Sequence, residues 1–494
     1  MFIKTLPHHT SFGVSTYSNR LDKSKEKKIV VVPTTYDHAG ASREGTMKLL
    51  APIYRSAALS AMAALCFTTA SVSYADELAP INIVINQSPW LDGFAGLVRR
   101  YETETGNKVT LDVNPYAGSL EKQRNAVRSD QSEYDILIVN GIFYPEMYHG
   151  GFLEPLKNID PDFKLDPQIY TYDDTVCFDA VNKTVNCETG DLLTIPVNPN
   201  ITLMFYRKDL YEQNGLKIPE TWDELIANAK ALHNPPEMIG MMQRSARATI
   251  SITWDYWPYL ISHGGSLFRD EGNGDFFITI NSPEAREALE TYVAISKEVG
   301  PENPASMEQG DLIQYLVTGR AAHAVLPAAA QSQMDDPNKS IVPGKIGYMT
   351  IPHAPGYASA PALGHWLGGI PKNIPEDHKV AALAFLDWFQ KPETQIAYAE
   401  LGGSPVSAAA YESDFADKPE NRYMLTMRSA SPMARRLWTI PEGSEIVAVL
   451  EVGLNRVVAG EISVVDALNG MAAEIEKIMV DAGYDVGRLP DLAN

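Results

Sequence analysis

The stretch INIVINQSPWLDGFAGLVRRYETETGNKVTLDV, residues 81 to 113, predicts the fold class of the chain. Its first six residues form an apolar strand, and the following segment carries apolar residues at helical spacing until Gly106. KVTLDV predicts a second strand, SLEKQRNAVRSDQ a second helix and YDILIVN a third strand. This alternation predicts an α/β fold, in which a mostly parallel sheet carries helices on both faces.

The composition of the chain limits its partners. The 494 residues are 45% hydrophobic and 21% charged, which is typical of a soluble protein with two or three domains. The formal net charge is -21. A nucleic-acid binder needs Lys and Arg to displace counterions from phosphates, so nucleic acids and anionic membrane surfaces are not expected partners.

A segment from Met47 to Ala75 has the pattern of an export signal. Lys48 and Arg55 precede an apolar run, and Ser73 and Ala75 are small residues at the -3 and -1 positions of a cleavage site. A buried N-terminal helix is the alternative. We expect cleavage after Ala75 and a periplasmic protein, with residues 1–46 an upstream extension that has no structural role.

Two cysteines remain once the signal and its Cys66 are removed. Cys177 and Cys187 lie close in sequence, and in an oxidising compartment such a pair is expected to form a disulfide. A metal site and a redox pair are the alternatives. The spacing is not C-x-x-C and no His lies between the two residues, so we predict the disulfide and no metal site.

An ordered series of segments resembles the extracellular solute-binding proteins of ABC importers, in the sugar-binding family that includes maltose-binding protein. The series includes GGFLEPL, YRKDL, IPETWDEL, HGGSLF, INSPEA, GHWLGG and AALAFLDWFQKPETQIAYAELGGSPV, and it covers nearly all of the chain after the signal. The resemblance implies two α/β lobes joined by hinge strands, with a ligand in the cleft between them. We expect residues 78–196 plus 324–368 in the first lobe and residues 197–323 plus 369–494 in the second.

An aromatic cluster in SITWDYWPYLISHGG, residues 251 to 265, is the first candidate for the cleft. Aromatic rings can stack on the C–H face of a sugar. The resemblance implies that Trp257 faces the ligand, and Trp254 lies one turn earlier. Asp255 between them can accept hydrogen bonds from a pair of hydroxyls or pair with an amino group. Core packing is the alternative for this cluster, and Tyr259 is expected in the core.

Polar residues at the ends of predicted strands complete the expected site. Ligands of such sheets bind beyond the carboxyl ends of the strands, and amides suit neutral hydroxyls because they both donate and accept hydrogen bonds. An ordinary turn role is the alternative for each of them, above all for the asparagines beside Pro199. The expected ligand-binding residues here are Gln87, Trp90, Asp92, Asn140, Asn198 and Asn200. In GHWLGG the resemblance implies that Trp366 lies at the cleft rim, and His365 is expected to donate to a ligand hydroxyl, with an ordinary surface histidine as the alternative.

The sequence therefore predicts the substrate-binding component of an ABC importer. We expect it to capture a sugar, an amino sugar or a polyol between its lobes and deliver it to the transmembrane permease subunits. We expect a monomer without cofactor or catalytic residues. The alternative is a secreted carbohydrate-active hydrolase, which would need two carboxylates at a set separation.

Overall fold

The computed structural model describes residues 78–248 and 250–493 of the chain. The predicted upstream extension (1–46) and signal peptide (47–75) lie outside these residues and stay predictions. Within the described ranges, no helix combines the length and the apolar character that crossing a membrane requires.

The described residues form strands and helices in alternation. The strands are β1 Ile81–Asn86, β2 Val109–Asn114, β3 Ile136–Asn140, β4 Cys177–Phe178, β5 Asp191–Leu192, β6 Thr194–Asn198, β7 Thr202–Arg207, β8 Phe268–Asp270, β9 Asp275–Ile278, β10 His323–Pro327, β11 Ile346–Met349, β12 Ala362–Leu363, β13 Trp366–Gly369 and β14 Arg435–Arg436. The helices are α1 Leu91–Thr105, α2 Tyr116–Arg128, α3 Tyr144–His149, α4 Leu156–Ile159, α5 Lys208–Asn214, α6 Trp222–Leu232, α7 Ser251–Ser262, α8 Pro283–Glu298, α9 Gln309–Val317, α10 Gln331–Met334, α11 Glu376–Gln390, α12 Pro392–Glu400, α13 Ala408–Tyr411, α14 Arg422–Ala430, α15 Gly443–Val458 and α16 Val464–Asp481.

The first lobe is built on a five-stranded sheet with the strand order β2, β1, β3, β13, β6. Strand β1 is parallel to β2 and β3, and β13 runs antiparallel to both β3 and β6, so every strand except β13 shares one direction. Along β3, Ile136 and Ile138 enter one hydrophobic core while Leu137 and Val139 enter another. A strand that is buried on both faces is typical of an α/β sheet, and the predicted fold class is confirmed.

The first predicted strand, helix and strand have their expected order. Helix α1 stops at Gly106, which has a φ of 76°. Glycine favours this left-handed conformation because it has no Cβ, and it commonly ends helices. Helix α1 packs against α12, and α2 packs against β1 and β2, so both helices cover the sheet.

The second lobe contains a three-stranded sheet with the order β10, β7, β11. Both pairings in this sheet are antiparallel, which differs from the mostly parallel sheet expected for each lobe. Helices α7, α8, α15 and α16 pack together in the same lobe. The apolar character of β7 and β10 predicts buried strands but does not specify their direction.

The expected lobe boundaries need correction. Strand β10, at the start of the segment 324–368 expected in the first lobe, pairs with β7 in the second sheet. Strand β13 returns to the first sheet, and α11 and α12 of the segment 369–494 pack against β1 and α1 there. The chain therefore crosses between the sheets at 199–201 and at 364–365. Sequence periodicity identifies helices and strands, but sheet membership depends on long-range pairing.

Cys177 and Cys187 form a disulfide, as the sequence predicts. It joins β4 to a loop that returns through β5, and the Cys177 backbone N–H donates to the Asp174 carbonyl oxygen at 2.9 Å. The bond closes a short surface loop on the first lobe.

Replacing both Cys177 and Cys187 by Ser is expected to lower the free energy of unfolding by about 2 to 3 kcal/mol. The bond closes a loop between residues ten positions apart, and without it the unfolded chain gains conformational entropy. Urea unfolding of the wild type and the double variant measures the difference, and reduction of the wild type with dithiothreitol should reproduce it. Equal stability of the two proteins would contradict this expectation.

Candidate ligand-binding cleft

A cleft of about 250 Å³ lies where the carboxyl ends of β1 and β3 face helix α7. The first lobe contributes the loop that follows β1 and the end of β3. The second lobe contributes the residues before α7, the start of α7 and the start of α9. The expected ligand-binding residues that line this cleft are Gln87, Trp90, Asn140, Asn200, Trp254 and Trp366.

The first-lobe wall consists of packed rings and a fixed amide. Trp90, at the start of α1, is buried, and its ring centroid lies 5.9 Å from that of Phe94 and 6.0 Å from that of Trp366. The Asn140 Oδ1 atom accepts a hydrogen bond from the Tyr116 hydroxyl at 3.0 Å. These contacts fix the orientation of the side chains before any ligand enters.

Arg244 and Asp255 form a buried ion pair at the second-lobe wall. Asp255 has no exposed surface, and its carboxylate accepts hydrogen bonds from the Arg244 backbone N–H at 2.6 Å and from Arg244 Nε at 2.7 Å. Burial raises the pKa of the Asp255 carboxyl, and the Arg244 guanidinium opposes this shift. Arg244 also lines the cleft. Asp255 therefore anchors a guanidinium that faces the ligand space.

Trp254 lies between this ion pair and the second crossing of the chain. The guanidinium carbon of Arg244 is 5.9 Å from the Trp254 ring centroid, within the range of a cation–π contact. On its other side the indole contacts the backbone of Gly364. A Cβ added to Gly364 would lie 1.7 Å from Trp254 Cη2, so only glycine fits beside this ring.

The start of helix α7 is held by a carboxylate from another helix. The Glu451 side chain, on α15, accepts hydrogen bonds from the backbone N–H of Thr253 at 2.9 Å and of Ala248 at 3.0 Å. Burial raises the pKa of Glu451, and these backbone donors oppose the shift. A carboxylate at this position satisfies free N–H groups and suits the helix dipole. It fixes the first turn of α7 and thereby Trp254.

Four buried polar atoms of residues that line the cleft have no hydrogen-bond partner among the residues that the structure describes. Within residues 78–248 and 250–493, Asn86 Oδ1, Ser88 Oγ, Arg244 Nη2 and Trp254 Nε1 are buried and have no partner. All four residues line the cleft. Buried polar groups in proteins are nearly always hydrogen-bonded, so a cluster of unpaired donors and acceptors indicates a place for a polar ligand.

Four of the expected ligand-binding residues do not line the cleft. Asp92 is exposed in the first turn of α1, and Asn198 is fully buried and accepts the Asn200 backbone N–H at 2.7 Å. Asp255 binds Arg244 instead of a ligand. Trp257 packs against Trp438, with ring centroids 5.7 Å apart. Every residue of α7 except Ile261 is buried, so helical spacing cannot single out the ligand-facing ring there.

His365 is a further residue that the structure places away from the cleft. It is fully buried, and its ring lies 5.6 Å from that of Tyr144 and 6.0 Å from that of Tyr172. Neither ring nitrogen has a hydrogen-bond partner in the described part of the chain. Burial lowers the pKa of His365 to about 3, and the positive charge of Arg436 adds to the shift. The imidazole is therefore neutral and packs against the Tyr144 and Tyr172 rings of the first lobe.

Several lining residues are absent from the sequence-based prediction. Arg244 is a single cation after the apolar segment MIGMMQ, and the nearby Asp255 is a possible signal for it. Tyr116 follows the end of β2, where the strand-end rule also applies. Glu308 caps helix α9 and carries no comparable signal.

Comparisons with known proteins agree on the family and the fold. The family model described as bacterial extracellular solute-binding protein matches residues 87–396. A mannitol-binding protein of Pseudomonas aeruginosa is 25% identical over 284 residues, which cover 56% of this chain and 59% of the relative. An erythritol/L-threitol-binding protein of Mycolicibacterium smegmatis is 20% identical over 347 residues, covering 68% of this chain and 72% of the relative. The match thus spans less than two thirds of the mannitol-binding protein.

Solved structures share the two-lobed architecture over their full length. A maltose-bound protein of T. maritima has a TM-score of 0.70 at 22% identity and covers 81% of this chain and 99% of its own. A ribitol complex of a solute-binding protein from Agrobacterium radiobacter K84 has a TM-score of 0.69 at 21% identity, covering 81% and 98%. These likenesses show the two-lobed fold of the periplasmic binding proteins.

The free energy of unfolding is expected to decrease as the pH is lowered below about 6, partly because of His365. An unfolded histidine has a pKa near 6.5, so below about pH 6 the unfolded chain binds a proton that the folded His365 excludes down to about pH 3. This residue should therefore cost about 1.4 kcal/mol of stability per pH unit in that window. Urea unfolding of the wild type and His365→Phe at a series of pH values measures the slope. An unchanged slope in the variant would contradict the neutral, buried state.

Proposed function

This chain belongs to the bacterial extracellular solute-binding proteins, and we propose that it captures a neutral sugar or polyol for an ABC importer. The observation that carries the proposal is the group of unpaired donors and acceptors beside indole rings in one inter-lobe cleft. Hydroxyl groups both donate and accept hydrogen bonds, and the C–H face of a sugar stacks on an aromatic ring. Mannitol and erythritol in the names of the relatives are ligands of this class.

The charges at the cleft favour a neutral ligand. Arg244 is balanced by Asp255, and Glu308 adds a negative charge to the lining. A carboxylate ligand would face this excess of negative charge. An amino sugar would need a free carboxylate, but both oxygens of Asp255 already accept hydrogen bonds from Arg244, and the Glu308 side chain accepts from the backbone N–H of Asp311 at the start of α9. The hydroxyl groups of a neutral ligand need no opposite charge in the lining, and they can accept a hydrogen bond from Arg244 Nη2.

The size of the cleft supports a small solute. Its volume of about 250 Å³ lies below the roughly 300 to 1,000 Å³ that is typical of pockets for drug-sized ligands. A linear polyol or a single sugar ring matches this volume better than an oligosaccharide does.

Both lobes supply groups to the same ligand, which couples binding to closure. Asn86 and Asn140 belong to the first lobe, whereas Arg244 and Trp254 belong to the second. A ligand that contacts both walls stabilises the closed arrangement by its differential affinity. The closed protein is then the form that the permease subunits recognise. We infer that it acts as a monomer in the periplasm after cleavage behind Ala75.

The hydrolase alternative finds less support. A glycosidase needs two carboxylates across the scissile bond. At this cleft Asp255 is occupied by Arg244, and among the lining residues Glu308 is the remaining acid. We therefore propose binding without catalysis, and release of product from any tested sugar would count against it.

A matched pair of tryptophan variants tests the location of the site. A screen of D-mannitol, erythritol, ribitol, tagatose and maltose should give a thermal shift with at least one solute, worth roughly 2.7 kcal/mol at 100 times its Kd. Trp254→Leu should lose most of this ligand-induced stabilisation. Trp257→Leu changes the same residue type in the same helix but outside the cleft, and should keep it. Loss with Trp257→Leu alone would contradict the assignment, and no shift with any solute would contradict the function.

Arg244→Gln is expected to raise the Kd of the solute found in that screen by about 10- to 100-fold. The variant removes a charged donor to the ligand, and such a hydrogen bond contributes about 1.5 to 3 kcal/mol. Isothermal titration calorimetry measures the Kd. Arg247→Gln is the matched control because Arg247 lies outside the cleft lining, and its Kd should match that of the wild type. Equal values for Arg244→Gln and the wild type would exclude this contact.

A further inference from the structure

A second cavity, of about 490 Å³, lies between the lobes and is lined by other residues than the cleft. The first lobe contributes His149 and the disulfide-closed loop at Asn182–Val185. The second lobe contributes the hairpin of β8 and β9, the segment from Arg436 to Glu442 and the chain after α16. None of its lining residues also lines the cleft. This second cavity is therefore a separate feature of the lobe interface.

Two residues that line the second cavity, His149 and Arg436, each carry a buried polar atom without a hydrogen-bond partner in the part of the chain that the structure describes. The Nε2 atom of His149 is buried without a partner among the described residues. Burial lowers the pKa of His149, with Lys183 adding to the shift, so the ring is neutral. A neutral imidazole has one N–H donor and one acceptor nitrogen, so Nε2 requires a hydrogen-bond partner in either tautomer. Arg436 Nε is a buried donor that likewise lacks a partner in the described chain.

The remaining lining favours a neutral solute with hydroxyl groups. Lys183 and Arg436 are balanced by Glu271 and Glu442, so the cavity has no net formal charge. A hydroxyl group can accept from a guanidinium, and it can pair with an imidazole nitrogen in either tautomer because it both donates and accepts. Phe276 and Tyr484 add aromatic surface to the same wall.

The loop at the first-lobe wall is held in place before any solute binds. Asp179 Oδ1 accepts hydrogen bonds from the backbone N–H of Val181 and of Asn182, each at 2.9 Å. Asp179 and Thr184 also form a pair of backbone hydrogen bonds, and the disulfide closes the base of the loop. A rigid loop loses little entropy on binding, which favours affinity.

We propose that the second cavity is a binding site for a neutral polyhydroxylated solute, distinct from the cleft. Its walls come from both lobes, so an occupant stabilises the closed arrangement just as a cleft ligand does. Two ligands that favour one state raise each other's affinity by the same factor. The second site thus increases the affinity of the cleft when the solute is abundant.

Binding stoichiometry tests this proposal. D-mannitol and maltose are titrated separately into the full chain by calorimetry, and bound solute is counted by equilibrium dialysis with radiolabelled D-mannitol. Thr184→Trp fills the second cavity from an exposed loop position, and Val181→Trp places the same ring on the same loop outside the cavity. Trp254→Leu disables the cleft alone.

We expect two binding events per chain in the wild type and in Val181→Trp. Thr184→Trp should lose one event and bind the remaining solute more weakly, while Trp254→Leu should keep the event that Thr184→Trp loses. A single event that Thr184→Trp leaves unchanged would overturn the second site and leave the cleft assignment standing, and it would mean that water satisfies His149 and Arg436. Absence of any event in the wild type would overturn both proposals.

Discussion

The second-lobe wall of the cleft depends on the ion pair between the buried Asp255 carboxylate and Arg244. Asp255 has no exposed surface, and an unpaired charge there would be very costly. Arg244 supplies the partner groups with its backbone N–H and its Nε, and the contact joins the segment before α7 to the helix itself. Trp254 packs beside that guanidinium. The guanidinium at the cleft and the ring beside it are thus both held by contacts with one ion pair.

The sequence predicts the local elements of this fold well and their assembly poorly. The strand, helix and strand from Ile81 to Val113 and the disulfide follow from neighbouring residues. The lobe boundaries do not, because β13 joins the first sheet through pairing with β3, more than two hundred residues earlier. Local periodicity carries no information about such a partner.

The site shows the same division between local and long-range information. Gln87 and Asn140 were expected at the cleft because strand ends gather at one edge of a parallel sheet, and both lie there. Trp257 was expected there from the resemblance to relatives, and His365 as a donor to a ligand hydroxyl. Every residue of α7 except Ile261 is buried, however, and His365 packs against the Tyr144 and Tyr172 rings. Whether a buried ring faces a ligand or a core depends on the opposing lobe. That information is not present in the helix itself.

The contact between Trp254 and Gly364 also bears on how such a protein can diverge. The indole occupies the space that any side chain at 364 would need, and 364 lies where the chain passes between the lobes. A larger residue at 364 is therefore tolerable only with a smaller one at 254. Positions 254 and 364 are far apart in the chain, but their side chains compete for the same space. A substitution of the ring at 254 that changes solute specificity therefore also limits which residues fit at 364. Lineages that acquire a different ring should carry a matching change in the crossing strand.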